Sequence, residues 1–191
     1  MQDAVNIVRE PAALGTGRPE AAEEDRRSAA FYEAHADAVF RLSLRLCGGR
    51  RADAEDVAQE ALIAALAALP RFAGRARLTT WLHTITVRTW RRHCAQQGVV
   101  LPSYDEAAPA ARGTAPGDED RRLTRMTIDA AVAALPDALR EAFVLVKVEG
   151  LTHREAARVL ETPQGTVQAR VHEAARRLRA ALGETEGKES R

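Results

Sequence analysis

Thr152 and Glu155 stand three residues apart at the head of an apolar-periodic run, and this spacing constrains the fold more than any other feature of the chain. A Thr-x-x-Glu pair is a capping box: the Thr hydroxyl accepts from the backbone N–H three residues on, and the Glu side chain reaches back to the Thr N–H. A helix therefore starts at this pair and carries Ala156, Ala157, Val159 and Leu160 inward. Thr162-Pro163 restarts the chain as a second helix, since proline is tolerated at or next to a first helical position. Val167, Val171, Ala174, Ala175 and Leu178 fall at three- and four-residue intervals and form its buried stripe. Glu161 stands in the turn between them, where a positive φ favours Gly, at a cost of about 1 kcal/mol. Two short helices joined by a tight turn over Gly150–Leu178, the second one basic, are the layout of a helix-turn-helix, which sets one helix into a DNA major groove. Arg170, Arg176 and Arg177 suit phosphate contact, while Thr166, Gln168 and His172 are candidates for the groove face and base edges. Glu173 repels phosphate unless it accepts from a cytosine amino group.

The rest of the chain fits a helical protein. Hydrophobic residues make up 46% of its 191 residues and aromatics only 4%, with Ala and Leu prominent, a composition that suits helix packing over sheet. The net charge of +1 supplies no global attraction to nucleic acid, so any such binding rests on where charge is placed. Acids gather at Asp53–Glu60 and arginines at Arg88–Arg92 and Arg170–Arg179. Cys47 and Cys94 lack metal-ligand or CxxC spacing, which argues against a disulfide framework and for a reducing cytoplasm. No run of about 18 apolar residues predicts a membrane span, and the first residues do not read as a secretion signal. His35, His83, His93, His153 and His172 form no ligand pattern and no Gly-rich phosphate loop occurs, so neither a cofactor, a metal nor an enzymatic activity is expected.

Along the chain, residues 1–24 read as a leader without stable periodicity. Residues 25–97 are helical: Phe31, Val39, Phe40, Leu42, Leu44 and Leu46 make a first apolar face that Gly48-Gly49 stops. A second helix runs from about Asp53 to Leu69 and ends at Pro70, and a basic loop, Arg71–Arg77, leads to a third helix over Leu78–Gln96. Residues 98–120 are rich in Gly, Pro and acids and are read as a flexible linker between two small all-α domains. Residues 121–183 form the second domain, and 184–191 a polar tail.

On a helical wheel Ala58, Leu62, Ala65, Leu66 and Leu69 gather on one side of the second helix, with Asp53, Asp56 and Glu60 opposite. That acidic side is either a solvated face or a docking stripe for a basic partner. In the third helix Leu78, Trp81, Leu82 and Ile85 face the core. Arg88 and Arg91 lie on one flank, and His83, Val87 and Trp90 on another. Arginines beside an off-core ring are what single-stranded nucleic acid needs, so Trp90 is a candidate stacking platform, with burial under a neighbouring element as the alternative.

DAEDVAQEAL (Asp53–Leu62), FAGRARLTTWLHTITVRTWRR (Phe72–Arg92), the Pro/Gly linker and the tract Leu135–Arg179 together resemble an extracytoplasmic-function sigma factor of bacterial RNA polymerase, in order and in spacing from about Phe31 to Leu182. The resemblance implies that Asp53, Glu55, Asp56, Gln59 and Glu60 dock on the β′ clamp of core polymerase, with further contacts to the β subunit. It implies that Arg75, Arg77, Arg88, Trp90, Arg91 and Arg92 recognise and melt the minus-ten element, flipping a base out of the stack. The last helix would read the minus-thirty-five element, and linker acids Asp105, Glu106, Asp118 and Glu119 would mimic RNA phosphates. An anti-sigma factor is an implied partner, and the implied location is the cytoplasm. The chain departs from the family where Arg88 replaces the usual Asn, Arg92 an Asp or Asn, Gln168-Ala169-Arg170 a basic–Ser–Arg run, and Glu173 a basic residue. These changes bear on which promoter is read. A stand-alone helix-turn-helix regulator is the alternative function.

Overall fold

The computed structural model describes residues 19–97 and 128–182, and among these no strand occurs. The first domain holds α1 (Pro19–Leu46), α2 (Arg51–Ala68), a single 3-10 turn at Leu69–Arg71, and α3 (Leu78–Gln96). The second holds α4 (128–133), α5 (Asp137–Phe143) running into a π turn at Val144–Val148, α6 (His153–Leu160) and α7 (Gln164–Ala181). The all-α class and the two small domains are as the sequence predicts. α1 starts at Pro19, inside the stretch expected to be leader. A proline at the first helical position favours a helix start there through its fixed φ. The remaining leader, the linker 98–120 with Asp105, Glu106, Asp118 and Glu119, and the tail 184–191 lie outside the described residues.

α1 stops where Gly48 and Gly49 take φ of +63° and +81°. At Gly48 the absent side chain also matters, because a Cβ would sit 3.4 Å from the Ala133 carbonyl oxygen of the second domain. One core lies within the first domain: Phe31, Val39, Ala58, Ala61, Leu62, Ala65 and Leu82, with Leu78, Trp81 and Ile85 packed at its edge. This is the apolar face predicted for α2 and α3.

The second core is continuous across both domains. Leu42, Leu46, Cys47, Ala54, Val57, Val87, Trp90 and Cys94 join Leu135, Leu139, Leu145, Leu160, Val167 and Val171 in one buried cluster. α3 is thus buried on two faces, one turned to its own domain and the other to this junction. Arg140 sits in the junction at 4% exposure. Its Nε donates to the Leu46 carbonyl at 3.0 Å, and its Nη1 to the carbonyls of Leu135 at 2.8 Å and Ala133 at 3.0 Å. Asp137 pairs with its remaining nitrogen. The second domain therefore satisfies an orphan carbonyl at the C-terminus of α1, where a cation is also favoured by the helix dipole.

Candidate functional site

α2 is buried along Ala54, Val57, Ala58, Ala61, Leu62 and Ala65, which turns its acidic side to solvent. Asp56 and Gln59 are exposed and carry no ion pair among the described residues. Glu55 takes Arg51 Nε at 2.8 Å along its own helix, and Glu60 takes Arg92 Nη2 of α3 at 2.8 Å. Asp53 is half-buried, and its hydrogen bond from Arg50 holds its carboxyl below the ordinary range. The five predicted docking residues therefore lie along one helix side, with Asp56 and Gln59 at its open centre. Beside them a cleft between α1 and α2, about 600 Å³, is lined by Tyr32, Phe40, Ile63 and Leu66 together with Glu55 and Gln59.

The basic loop after α2 is pinned by Phe72, whose ring lies 4.9 Å from that of Trp81. Arg75 and Arg77 project from it into solvent. Of the α3 residues, Arg88 and Arg92 are exposed and Arg91 is half-buried. Trp90 differs from the stacking expectation: it is 0% exposed, and its indole nitrogen has no hydrogen-bond partner among the described residues. Val87, Trp90 and Cys94 form a second apolar stripe at helical spacing, and the second domain packs over it. The ring is therefore closed to a base in this arrangement of the domains.

In the second domain the capping box forms as predicted. Thr152 Oγ1 accepts from Glu155 N–H at 3.2 Å, and the Glu155 carboxylate accepts from Thr152 N–H at 2.9 Å. Glu161 is the left-handed turn residue at φ +53°, alone among the described non-glycine residues. On α7, Val167, Val171, Ala174 and Leu178 are buried, while Thr166, Gln168, His172 and Arg176 are exposed. Arg170 and Arg177 are half-buried along the rim. Glu173 takes Arg176 Nε and Arg177 Nε, each at 2.7 Å, and these bonds pull its carboxyl down to about 2. The acid thus serves its own helix by ordering two arginines.

Three carboxylates of the second domain meet cations of the first. Glu141, 3% exposed, receives Arg91 Nη2 at 2.7 Å and Arg91 Nε at 3.0 Å. The same carboxylate lies 3.4 Å from Arg170 Nη1, so it joins an arginine of α3 to one of α7. Burial pushes its carboxyl up, against the opposing pull of Arg91 and Arg170. Glu161 pairs with Arg88, which lowers the Glu161 carboxyl. Glu149 takes Arg45 Nη1 at 3.0 Å and lies 3.6 Å from His83 Nε2. Burial lowers the His83 pKa, and Glu149 opposes the shift. Sequence reasoning did not single out Glu141, Glu149 or Arg140. Their only trace there is a charged residue within or at the end of the largely apolar run Leu139–Val148.

A helix-turn-helix with a basic last helix, joined to a helical domain bearing an acidic stripe and a basic loop, defines a DNA-binding transcription protein. Sigma-70 region 2 matches residues 31–99, and Sigma-70 region 4 matches residues 125–178. The chain is 35% identical over 142 residues to the RNA polymerase sigma-H factor of Pseudomonas aeruginosa, covering 68% of this chain and 73% of that one. It is 32% identical over 133 residues to the ECF RNA polymerase sigma-E factor of Escherichia coli K12, covering 64% and 70%. The fold is shared with the sigma factor RpoE of Bartonella quintana in its complex with the anti-sigma factor NepR, at TM-score 0.62 and 22% identity, over 81% of this chain and 96% of that one. CnrH in complex with the cytosolic domain of CnrY shares it at TM-score 0.58 and 23% identity, over 87% and 96%. The chain belongs to the extracytoplasmic-function sigma factors. Among the described residues no helix is long and apolar enough to cross a membrane, and no His, Cys, Asp and Glu group could hold a metal ion.

Proposed function

We infer that this chain is a specificity subunit of bacterial RNA polymerase: it binds core polymerase and directs initiation to particular promoters, with the polymerase supplying the chemistry. One observation carries the reading. A region 2 domain with an exposed acidic helix side and a region 4 helix-turn-helix occur in one chain. The match of the first domain to region 2 favours this reading over the stand-alone regulator, which has no use for a clamp-docking helix.

In this reading Asp53, Glu55, Asp56, Gln59 and Glu60 present the α2 surface to the β′ clamp, and the β subunit holds the second domain. Arg75 and Arg77 of the loop, with Arg88, Arg91 and Arg92 of α3, neutralise phosphates around the minus-ten element. Arg170, Arg176 and Arg177 hold the backbone of the minus-thirty-five duplex, and Thr166, Gln168 and His172 face its bases. Trp90 joins the minus-ten contacts only once the second domain has left α3. The working location is the cytoplasm, and a cognate anti-sigma protein, such as accompanies the Bartonella quintana relative, is a further partner.

The test is the affinity of the labelled chain for core RNA polymerase. Asp56→Arg places a cation at the open centre of the docking side, and binding to core should be lost while circular dichroism stays helical. Wild-type affinity in that variant would remove the docking assignment. Arg170→Ala should weaken holoenzyme binding to an upstream duplex, and a loss of no more than a few tenths of a kcal/mol would count against its phosphate role.

A further inference from the structure

We propose that Arg92 sets how tightly this chain holds core polymerase: its guanidinium occupies Glu60 at the edge of the docking side of α2 and competes there with the cations of a basic partner. The inference rests on the docking of α2 stated above, and it gives Arg92 a use in addition to its phosphate role.

The acids of α2 differ in what already holds them. Asp53 is half-buried, takes a hydrogen bond from Arg50 Nε and lies 3.8 Å from His93 Nε2 of α3. Glu60 takes Arg92 Nη2 of α3 at 2.8 Å through Oε2. Asp56, one turn before Glu60, is exposed and carries no ion pair among the described residues. α3 therefore brings a side chain to each end of the acidic side and leaves its centre open.

Both members of the Glu60–Arg92 pair are within reach of a partner, with side chains 46% and 56% exposed. Glu60 is held through one nitrogen, where Glu141 is held by Arg91 through two. An exposed pair of this kind is worth a factor of about two to five in an equilibrium constant. That scale suits a residue that tunes docking without preventing it. A partner cation that takes Glu60 must displace Arg92 or share the carboxylate with it, and in either case it meets the guanidinium as a like charge. The repulsion grows as the partner covers the helix side, because excluding water lowers the effective dielectric. This position is one at which the chain departs from the Asp or Asn usual in the family it resembles. An Asp there would extend the acidic side, whereas Arg92 offsets it, so the pair is a feature of this chain and not of the fold.

The experiment titrates the labelled full chain with core RNA polymerase at low salt and without DNA, so that the phosphate role of Arg92 does not enter. Arg92→Gln should bind about two- to fivefold more tightly than wild type. Arg92→Lys keeps the charge and should stay close to wild type, while Glu60→Gln should bind more weakly. In the Glu60→Gln background the gain from Arg92→Gln should largely disappear, which is the signature of a shared pair. It should also shrink as salt is raised to about 0.5 M, a response that a packing role of Arg92 would not give. Both positions are exposed, and circular dichroism should show every variant helical. An Arg92→Gln chain that binds no more tightly than wild type overturns the inference. So does an equal gain in both backgrounds, which assigns the effect to net charge, and so does an Arg92→Lys chain that gains as much as Arg92→Gln. Asp56→Arg in the same titration judges the docking reading: if it binds like wild type, that reading falls and takes this one with it. If Asp56→Arg loses binding while Arg92→Gln leaves it unchanged, only the role of Arg92 falls.

Discussion

Arg91 of α3 and Glu141 of α5 are joined by two hydrogen bonds, 2.7 Å and 3.0 Å long, with the carboxylate side chain 4% exposed and the guanidinium 30%. The pair is one of several polar contacts around an apolar junction core, beside buried Arg140 and the pairs Glu149–Arg45 and Glu161–Arg88. A buried pair of this kind is costly to break from one side, since the remaining charge loses its partner without regaining full hydration. Arg91 keeps some access to water, so its stranding is softer than that of Glu141.

A double-mutant cycle on Arg91→Ala and Glu141→Ala, read by urea unfolding of the full chain, should return a coupling of about 1 kcal/mol or more. Glu141→Ala should be the milder single change only if Arg170 finds another acceptor. A coupling near zero would show that the two side chains do not support one another in solution.

The thiols give a second prediction. Cys47 is 0% exposed, and burial pushes its pKa up to about 12, while burial also raises Cys94. The thiolate is the reactive form, so the folded chain should resist a maleimide at mildly alkaline pH. Both cysteines should label together after denaturation, as intact-mass spectrometry can follow. Prompt labelling of the native chain, at the rate of a free thiol, would mean that the junction is open under those conditions.

How far the sequence determined these features depends on the range of the signal. Local rules placed the capping box at Thr152 and Glu155, the strained turn at Glu161 and the third helix at Leu78–Gln96, because each depends on residues a few positions apart. The stripe Val87, Trp90 and Cys94 was also visible as periodicity, but what covers it lies some 40 residues or more away in the chain. A wheel cannot distinguish a ring awaiting a base from a ring packed under another domain. Glu141 was missed for the same reason: an acid in an apolar run makes sense only once Arg91 and Arg170 arrive from two other helices. The docking side of α2 was legible as an acidic face, and its assignment to a partner needed the family resemblance.

Two substitutions in the helix-turn-helix should act in opposite directions. Thr152→Ala removes the hydroxyl that accepts from Glu155 N–H and should lower stability by about 1 kcal/mol. Glu161→Gly relieves a left-handed non-glycine residue and should recover up to about 1 kcal/mol of local strain while cutting the exposed pair to Arg88. Guanidinium unfolding of the full chain, followed by circular dichroism, would compare them. A Glu161→Gly chain less stable than wild type would mean that the contact to Arg88 outweighs the turn strain.

Glu173 supplies a pH-dependent prediction whose sign is fixed by its depressed carboxyl. Its ordinary value is 4.5, and the hydrogen bonds from Arg176 and Arg177 lower it in the folded chain to about 2. A depressed acid contributes stability that is complete above the unfolded value and is lost as pH falls through the folded one. The Glu173→Gln deficit should therefore hold steady from about pH 7 down to about pH 5 and shrink only below 4.5, on the way to 2. Its size at neutral pH should not exceed about 1 kcal/mol, because Arg176 is largely in water and such pairs are screened. Thermal midpoints of wild type and Glu173→Gln across that range provide the measurement. A deficit absent at neutral pH, or one that did not shrink below pH 4.5, would mean that the carboxyl titrates near its free value in the folded chain and that the two arginines are not held by it. Recognition-helix arginines that lost this tether would meet phosphate with more freedom to lose, so the same variant should also bind promoter duplex more weakly as holoenzyme, despite shedding a negative charge beside the groove.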